Sequence, residues 1–300
     1  MRTPLGTLIL SCIVFVAFGI LAASLGPVLP NLASNTASTL ESTGTIFTAI
    51  FLGAFISQIG SGSLTDRIGP RPILIVGMIL MSTGILGVSL SNSIILMLIC
   101  GLIAGLGHGA LDISVNTLIA KVFKDRSVAA VNLVNFFFGV GAIAGPALAS
   151  LAIRQWNNGI PALWAGIALV ILTIPFVSIF MLSPVDKPII AEKSIGSPIY
   201  LSKLLWIAGL ILFVYVGSET GMGGWTAAYM QQTSSIPADK AALIVSGFWM
   251  ALTMGRLIAA FLGTRWTSNR LLSVSLAGAS LGGLMLALST GNLVITIIAV

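Results

Sequence analysis

Gly62-Ser63-Leu64-Thr65-Asp66-Arg67-Ile68-Gly69-Pro70-Arg71 joins two long apolar runs. Three charges and two glycines fall within ten residues of a chain in which charge is scarce. Glycine permits a tight turn and a close approach of helices. Asp66, Arg67 and Arg71 carry opposite signs within reach of one another, so the loop reads as a breakable charge latch. A short charged turn between apolar runs is what a chain leaves outside when it crosses a non-aqueous phase and returns.

Composition supports that phase being lipid. Hydrophobic residues make up 57% of the chain, charged residues 7%, and mean hydropathy is +1.08. A soluble domain carries roughly 25% charged residues to face water, and this chain lacks them. The net charge of +6 does not imply nucleic acid. A nucleic-acid binder gathers its Lys and Arg on one face or stripe, whereas here they recur in short loops. Cys12 and Cys100 both lie inside apolar runs without a C-x-x-C spacing and read as small buried hydrophobes. No residue pattern implies a metal or a cofactor.

Working outward from the loop, the apolar runs give nine complete spans at roughly 20 residues per crossing. They are expected over residues 5–27, 44–64, 73–90, 94–122, 129–153, 161–182, 204–230, 241–264 and 271–288. The first run is longer than a signal-peptide core and is followed by more spans, so it reads as a transmembrane helix. Residues 293–300 are too few to cross and read as the start of a tenth span. Residues 183–203 are polar and hold three prolines, a linker between two bundles. The expected organisation is all-α. A six-helix bundle occupies 1–182, a linker 183–203, and an incomplete second bundle 204–300.

Eleven of the 14 Lys and Arg fall in loops on one side, Arg154 and Lys240 on the other, and Arg256 inside a span. Cations favour the cytoplasmic side, which places the N-terminus and the linker there, in the cell membrane. A faint repeat adds to the picture. Phe15-Val16-Ala17-Phe18-Gly19 is echoed by Phe213-Val214-Tyr215-Val216-Gly217, and Arg71 by Arg270. Parallel halves of six helices generate such a period.

The loop resembles the signature of the major facilitator superfamily, G-x-x-x-D-R-x-G-x-R between helices 2 and 3, through Gly62, Asp66, Arg67, Gly69 and Arg71. Pro72 stands where a further basic residue is usual. Gly105-Leu106-Gly107-His108-Gly109-Ala110-Leu111-Asp112, Tyr215-Val216-Gly217-Ser218-Glu219 and Phe248-Trp249 with Gly255-Arg256 are similar to the branch of fucose, glucose and galactose:proton symporters. That branch can carry an Asp in helix 1, and this chain has none. The resemblance implies two six-helix halves, alternating access, a small-molecule substrate, protons and the lipid bilayer as partners, and a gating role for the loop. The second half is incomplete against that pattern, so the 300-residue chain is expected to insert into membranes without transporting.

A charge at the bilayer centre costs about 2.5–3.5 kcal/mol on insertion scales, so it calls for a reason. Asp112, Glu219 and Arg256 are the three, and His108 is the single histidine. His108, Asp112 and Asn116 are spaced by four and share one stripe of span 4. Gly101, Gly105 and Gly109 form an adjacent bare stripe suited to close packing. Asp112, Glu219 and His108 are the candidates for proton coupling, with a static pair to another helix as the alternative for Asp112, and a structural pair with Asp112 or Glu219 as the alternative for Arg256. Gly221, Gly223 and Gly224 follow Glu219 and suggest a discontinuous helix at mid-depth, where transporters place substrate contacts. Asn116, Asn132, Asn135, Trp225, Gln58 and Arg256 are the substrate-lining candidates. Trp225 offers a flat face for a sugar ring, or else an interfacial anchor. Gln58 reads equally as a helix–helix hydrogen bond.

One histidine without a placed nucleophile makes no triad, and no phosphate-cradling G-x-x-x-x-G-K-[ST] loop occurs. The chain is therefore not read as an enzyme or an ATP-driven pump. The leading reading is secondary active transport of a small polar solute, a monosaccharide, coupled to protons. The alternatives are an efflux antiporter for amphiphilic drugs, favoured by Gly139-Val140-Gly141 with Gly145-Pro146, and a non-transporting fragment.

Overall fold

The structure is a computed structural model and describes residues 3–182, 202–262, 265–288 and 298. The linker expected at 183–203, apart from its last two residues, and the start of a tenth span, apart from residue 298, lie outside the described residues. Nine α-helices follow one another among the described residues: α1 (Pro4–Asn35), α2 (Leu40–Ile68), α3 (Pro70–Leu90), α4 (Ile94–Phe123), α5 (Ser127–Trp156), α6 (Ile160–Phe180), α7 (Lys203–Ser234), α8 (Ala238–Leu262) and α9 (Ser268–Leu288). Among the described residues there is no strand. Eight helical stretches among the described residues are long and apolar enough to cross a membrane, and α4 and α5 count as one of them, Ile94–Trp156, joined by a single 3-10 turn. In lipid a backbone must satisfy its own polar groups, and a helix does so within one segment.

Local chemistry sets the ends. Thr3 caps α1 by accepting from the Gly6 N–H at 3.0 Å, and Thr39 caps α2 by accepting from Ser42 N–H at 3.2 Å. Gly69 ends α2 at φ 87°, a conformation other residues rarely adopt, and Pro70 starts α3 at once.

Glycines set the crossings. A Cβ on Gly105 would collide with the Ile50 backbone and one on Gly109 with Ala54, so the bare stripe of α4 lies directly on α2. Gly141 likewise meets the Val16 backbone where α5 crosses α1. Without a hydrophobic force between helices in lipid, such close approach supplies the packing energy. One apolar core runs through α1–α6, and a second cluster (Ala227, Met230, Ala241, Val245 and Trp249, with Ala23 and Ala142) fastens α7 and α8 to α1 and α5. The outer faces carry exposed Phe55, Ile59, Leu172, Phe176, Ile179 and Trp206, as a lipid-facing surface requires.

The alternation of the loops is visible in cross-chain contacts. The Leu182 N–H donates to Thr7 Oγ1 at 3.1 Å, which brings the end of α6 to the start of α1. At the opposite end, Gly159 N–H donates to Asn31 Oδ1 at 3.0 Å.

Two expectations need correction. The first span was expected to stop at Pro27, but α1 continues through Pro27 and Pro30 to Asn35. A proline removes a helix hydrogen bond, yet in a bilayer the enclosing helices make continuation better than a break. α1 is buried against α5, α6 and α7 for most of its length. The seventh span was expected to be discontinuous after Glu219, but α7 runs unbroken from Lys203 to Ser234. Its glycines serve a crossing instead. A Cβ on Gly26 of α1 would lie 2.5 Å from the Gly223 carbonyl oxygen and 2.7 Å from that of Gly224.

Candidate functional site

A cavity of about 320 Å³ lies where α1, α2, α4 and α5 face α7 and α8. Phe15 and Phe18 of α1, Phe47 and Phe51 of α2, Phe138 of α5, Tyr215 of α7 and Trp249 of α8 line it with aromatic rings. The polar part of the wall is His108, Asp112, Asn135, Glu219, Thr220 and Arg256. Three charges that are costly in a bilayer thus converge on one space.

On the α4 wall, Asp112 is held by neutral amides. Asn116 Nδ2 donates to Asp112 Oδ1 at 2.9 Å, one helical turn along, and Gln58 Nε2 of α2 donates to Oδ2 at 3.4 Å. His108 lies one turn before Asp112. Its ring stands edge-on to Phe18, with centroids 4.5 Å apart, and to Phe51 at 5.9 Å. Asn135 of α5 donates back to its own helix at the Val131 carbonyl, 3.0 Å away.

On the opposite wall, Glu219 is held by a permanent cation. Arg256 Nη2 lies 3.2 Å from both Glu219 carboxylate oxygens and 3.2 Å from the Tyr215 hydroxyl, to which it also donates. Arginine keeps its charge at any working pH, so it needs such partners. Tyr215 precedes Glu219 by four residues and therefore shares its face of α7.

Trp249 lies seven residues before Arg256, two turns along the same face of α8. It is 7% exposed and packs edge-on to Phe138, with centroids 6.1 Å apart, and to Phe248 at 5.4 Å. Its indole N–H has no hydrogen-bond partner among the described residues. Leaving such a donor dry costs about 1–3 kcal/mol.

The structure therefore brings five of the candidates, His108, Asp112, Asn135, Glu219 and Arg256, to one cavity. Asn116 and Gln58 stand behind Asp112 as its hydrogen-bond donors. Asn132 is exposed outside the cavity wall. Trp225 is also outside the wall and lies against Gly44 of α2. At 100° per residue, the six positions from Glu219 to Trp225 rotate its ring well away from the Glu219 face. Trp249 is the tryptophan that lines the cavity. Spacing of four and seven residues from an intramembrane charge was the signal for Tyr215 and Trp249.

At the Gly62–Arg71 loop the expected latch joined Asp66 to the arginines. Asp66 pairs instead with Lys121 Nζ at the end of α4, 3.2 Å away, and Arg71 Nη1 donates to the Met181 carbonyl at 3.3 Å. Asp66 and Arg67 are sequence neighbours on a helix and diverge by about 100°, so they cannot face the same partner. Gly62 has open space where a Cβ would sit. The loop thus ties α2 to α4 and α3 to the end of α6.

The profile of the Major Facilitator Superfamily matches residues 8–300. The chain is similar to sodium-dependent glucose transporter 1 of Homo sapiens, 24% identical over 94% of this chain and 61% of that protein. It is 25% identical to sodium-dependent glucose transporter 1 of Xenopus laevis over 90% of this chain and 60% of that one. The chain thus spans about 60% of the length of these relatives. Among solved structures, a nucleoside transporter superposes with a TM-score of 0.76 at 15% identity, covering 98% of this chain and 77% of that one. A D-xylose–proton symporter superposes with a TM-score of 0.72 at 14% identity, with the same coverage.

Proposed function

Because the chain belongs to the Major Facilitator Superfamily, a family of multi-pass membrane transporters and not of enzymes, we propose that it moves a small polar solute, a monosaccharide, by proton-coupled alternating access. One observation carries this reading. Asp112, Glu219 and Arg256 meet with His108 in a single cavity between α1, α2, α4 and α5 on one side and α7 and α8 on the other. A hydroxylated ring offers donors to the two carboxylates, an acceptor to Arg256, and flat C–H faces to the aromatic wall. The relatives named for sodium-dependent glucose transport point to the same substrate class.

In this reading Asp112 is the proton carrier, with His108 beside it. The amides of Asn116 and Gln58 are neutral, so Asp112 can lose its charge without leaving a cation unpaired. Glu219 and Arg256 form the charge-neutral opposite wall, and Asn135 contributes a further polar contact. The loop at Gly62, Asp66, Arg67, Gly69 and Arg71 holds one conformation through Asp66–Lys121 and releases it on switching. The concentration of cations on one side supports a cytoplasmic N-terminus and 183–203 linker, with 1–182 and 204 onward as two bundles in the cell membrane.

The test is uptake of labelled D-glucose by the full-length protein in right-side-out and inverted vesicles, driven separately by proton and sodium gradients. Accumulation driven by the proton gradient alone is expected. Accumulation that follows sodium and ignores the proton gradient would overturn the coupling. A second reading, efflux of amphiphilic compounds, is favoured by the seven aromatic rings of the wall. Proton-driven accumulation of a cationic dye in inverted vesicles, without hexose uptake, would decide for it.

A further inference from the structure

We propose that the indole N–H of Trp249 is a substrate-selecting donor, which takes one particular oxygen of a hydroxylated ring solute held in the cavity. The proposal rests on the transport reading above and assigns it a residue.

Five buried polar side-chain atoms have no partner among the described residues: the hydroxyl oxygens of Ser11, Thr65, Ser82 and Ser114, and the indole nitrogen of Trp249. The four hydroxyls sit on helices, where a small rotation brings each to a carbonyl of the preceding turn. An indole has no such remedy, because its N–H is fixed in the ring plane and can only donate. Trp249 also differs in place, since none of the other four lines the cavity. Buried polar groups in folded proteins are almost always paired, so an orphan donor in a cavity wall marks a bond made in another state or with a ligand.

The surroundings fix that donor's position. Phe138 and Phe248 hold the ring edge-on. Across from it Gly223 of α7, also in the cavity wall, packs against the N–H edge, so the nitrogen is covered in this conformation and meets a solute only when α7 draws back. A Cβ there would lie 2.9 Å from Trp249 Cζ2 and 3.5 Å from Nε1. The site has carboxylates for solute hydroxyls that donate, and Trp249 is a neutral donor for one that accepts. A rigid donor reads position. An analogue lacking the accepted oxygen leaves the N–H unpaired and is rejected, whereas a site made only of aromatic faces barely distinguishes the two.

The experiment measures inhibition of labelled D-glucose exchange by each mono-deoxy-D-glucose, for wild type and Trp249→Phe, with full-length protein in proteoliposomes. In wild type one deoxy position is expected to weaken binding about tenfold. Trp249→Phe is expected to raise the half-saturation concentration of D-glucose by a similar factor, to leave the maximal rate within about twofold, and to erase the penalty at that position alone. Its melting temperature should equal or exceed that of wild type, because an unpaired donor has gone. Where the Phe variant folds poorly, benzothienylalanine at 249 keeps the ring, replaces N–H with sulfur and should give the same pattern. A uniform weakening across all deoxy positions would mean a packing role and overturn the proposal, as would an unchanged D-glucose affinity. Wild-type protein that binds no hydroxylated ring solute would overturn both this proposal and the transport reading, while transport with a flat deoxy series overturns this one alone.

Discussion

The two walls of the cavity hold their carboxylates in opposite ways. Asp112 receives hydrogen bonds from two neutral amides, Asn116 at 2.9 Å and Gln58 at 3.4 Å. Glu219 faces a guanidinium at 3.2 Å, and its side chain is 14% exposed against 43% for Arg256. Neutralising Asp112 only weakens two amide hydrogen bonds. Neutralising Glu219 strands an arginine within the membrane. Under the proposed proton coupling a carrier must gain and lose its charge every cycle, which favours the amide-held carboxylate over the ion-paired one. The lesson is that counting intramembrane carboxylates finds both, and only their partners separate them.

The sharpest break in that comparison is Asp112→Asn, which keeps shape and loses ionisation. Accumulation of D-glucose against its gradient is expected to vanish, while exchange of internal for external solute persists within a few-fold. Measuring both in the same vesicles checks it.

Arg256→Met should have the next largest effect, since it leaves Glu219 without its cation. Allowing for the partial exposure of Arg256, the loss is about 1–3 kcal/mol, read as a lower melting temperature and a matching drop in uptake. Adding Glu219→Gln should recover most of it, because two neutral partners need no ion pair. A double variant no better than Arg256→Met would mean that the pair has a role beyond mutual neutralisation.

Smaller effects are expected behind Asp112. Asn116→Leu removes the 2.9 Å donor and should lower the accumulation ratio several-fold, at about 1 kcal/mol for one hydrogen bond. Gln58→Leu removes a longer bond and should do less. The reverse ranking would mean that the α2 contact positions the carboxylate. Asp66→Ala is expected to be the mildest. Asp66 is 72% exposed, and an exposed pair is worth about 0–1 kcal/mol. Turnover in reconstituted vesicles should fall about two-fold, with substrate affinity unchanged.

Much of this was legible in the residues because a bilayer punishes exceptions. The helices and the cost of Asp112, Glu219 and Arg256 follow from hydropathy and charge. The bare stripe Gly101–Gly105–Gly109 announced a close crossing, and it lies on α2. What composition could not convey was rotation about each axis. Trp225 has the right chemistry on the wrong face, and Trp249 was found only once Arg256 fixed the cavity side of α8. Glycine after Glu219 was ambiguous in the same way, since a helix break and a helix crossing use the same residue. At the loop, the charges were legible but the partner was not, because Lys121 comes from the far end of α4, 55 positions along the chain.

Solute-driven proton entry separates the two walls. D-glucose is added to lightly buffered proteoliposomes that contain wild type, Asp112→Asn or the Glu219→Gln/Arg256→Met double variant, and external pH is followed. Alkalinisation is expected with wild type and with the double variant, and none with Asp112→Asn although it still exchanges solute. Proton entry that survives in Asp112→Asn and disappears in the double variant would contradict it and move the carrier to the other wall.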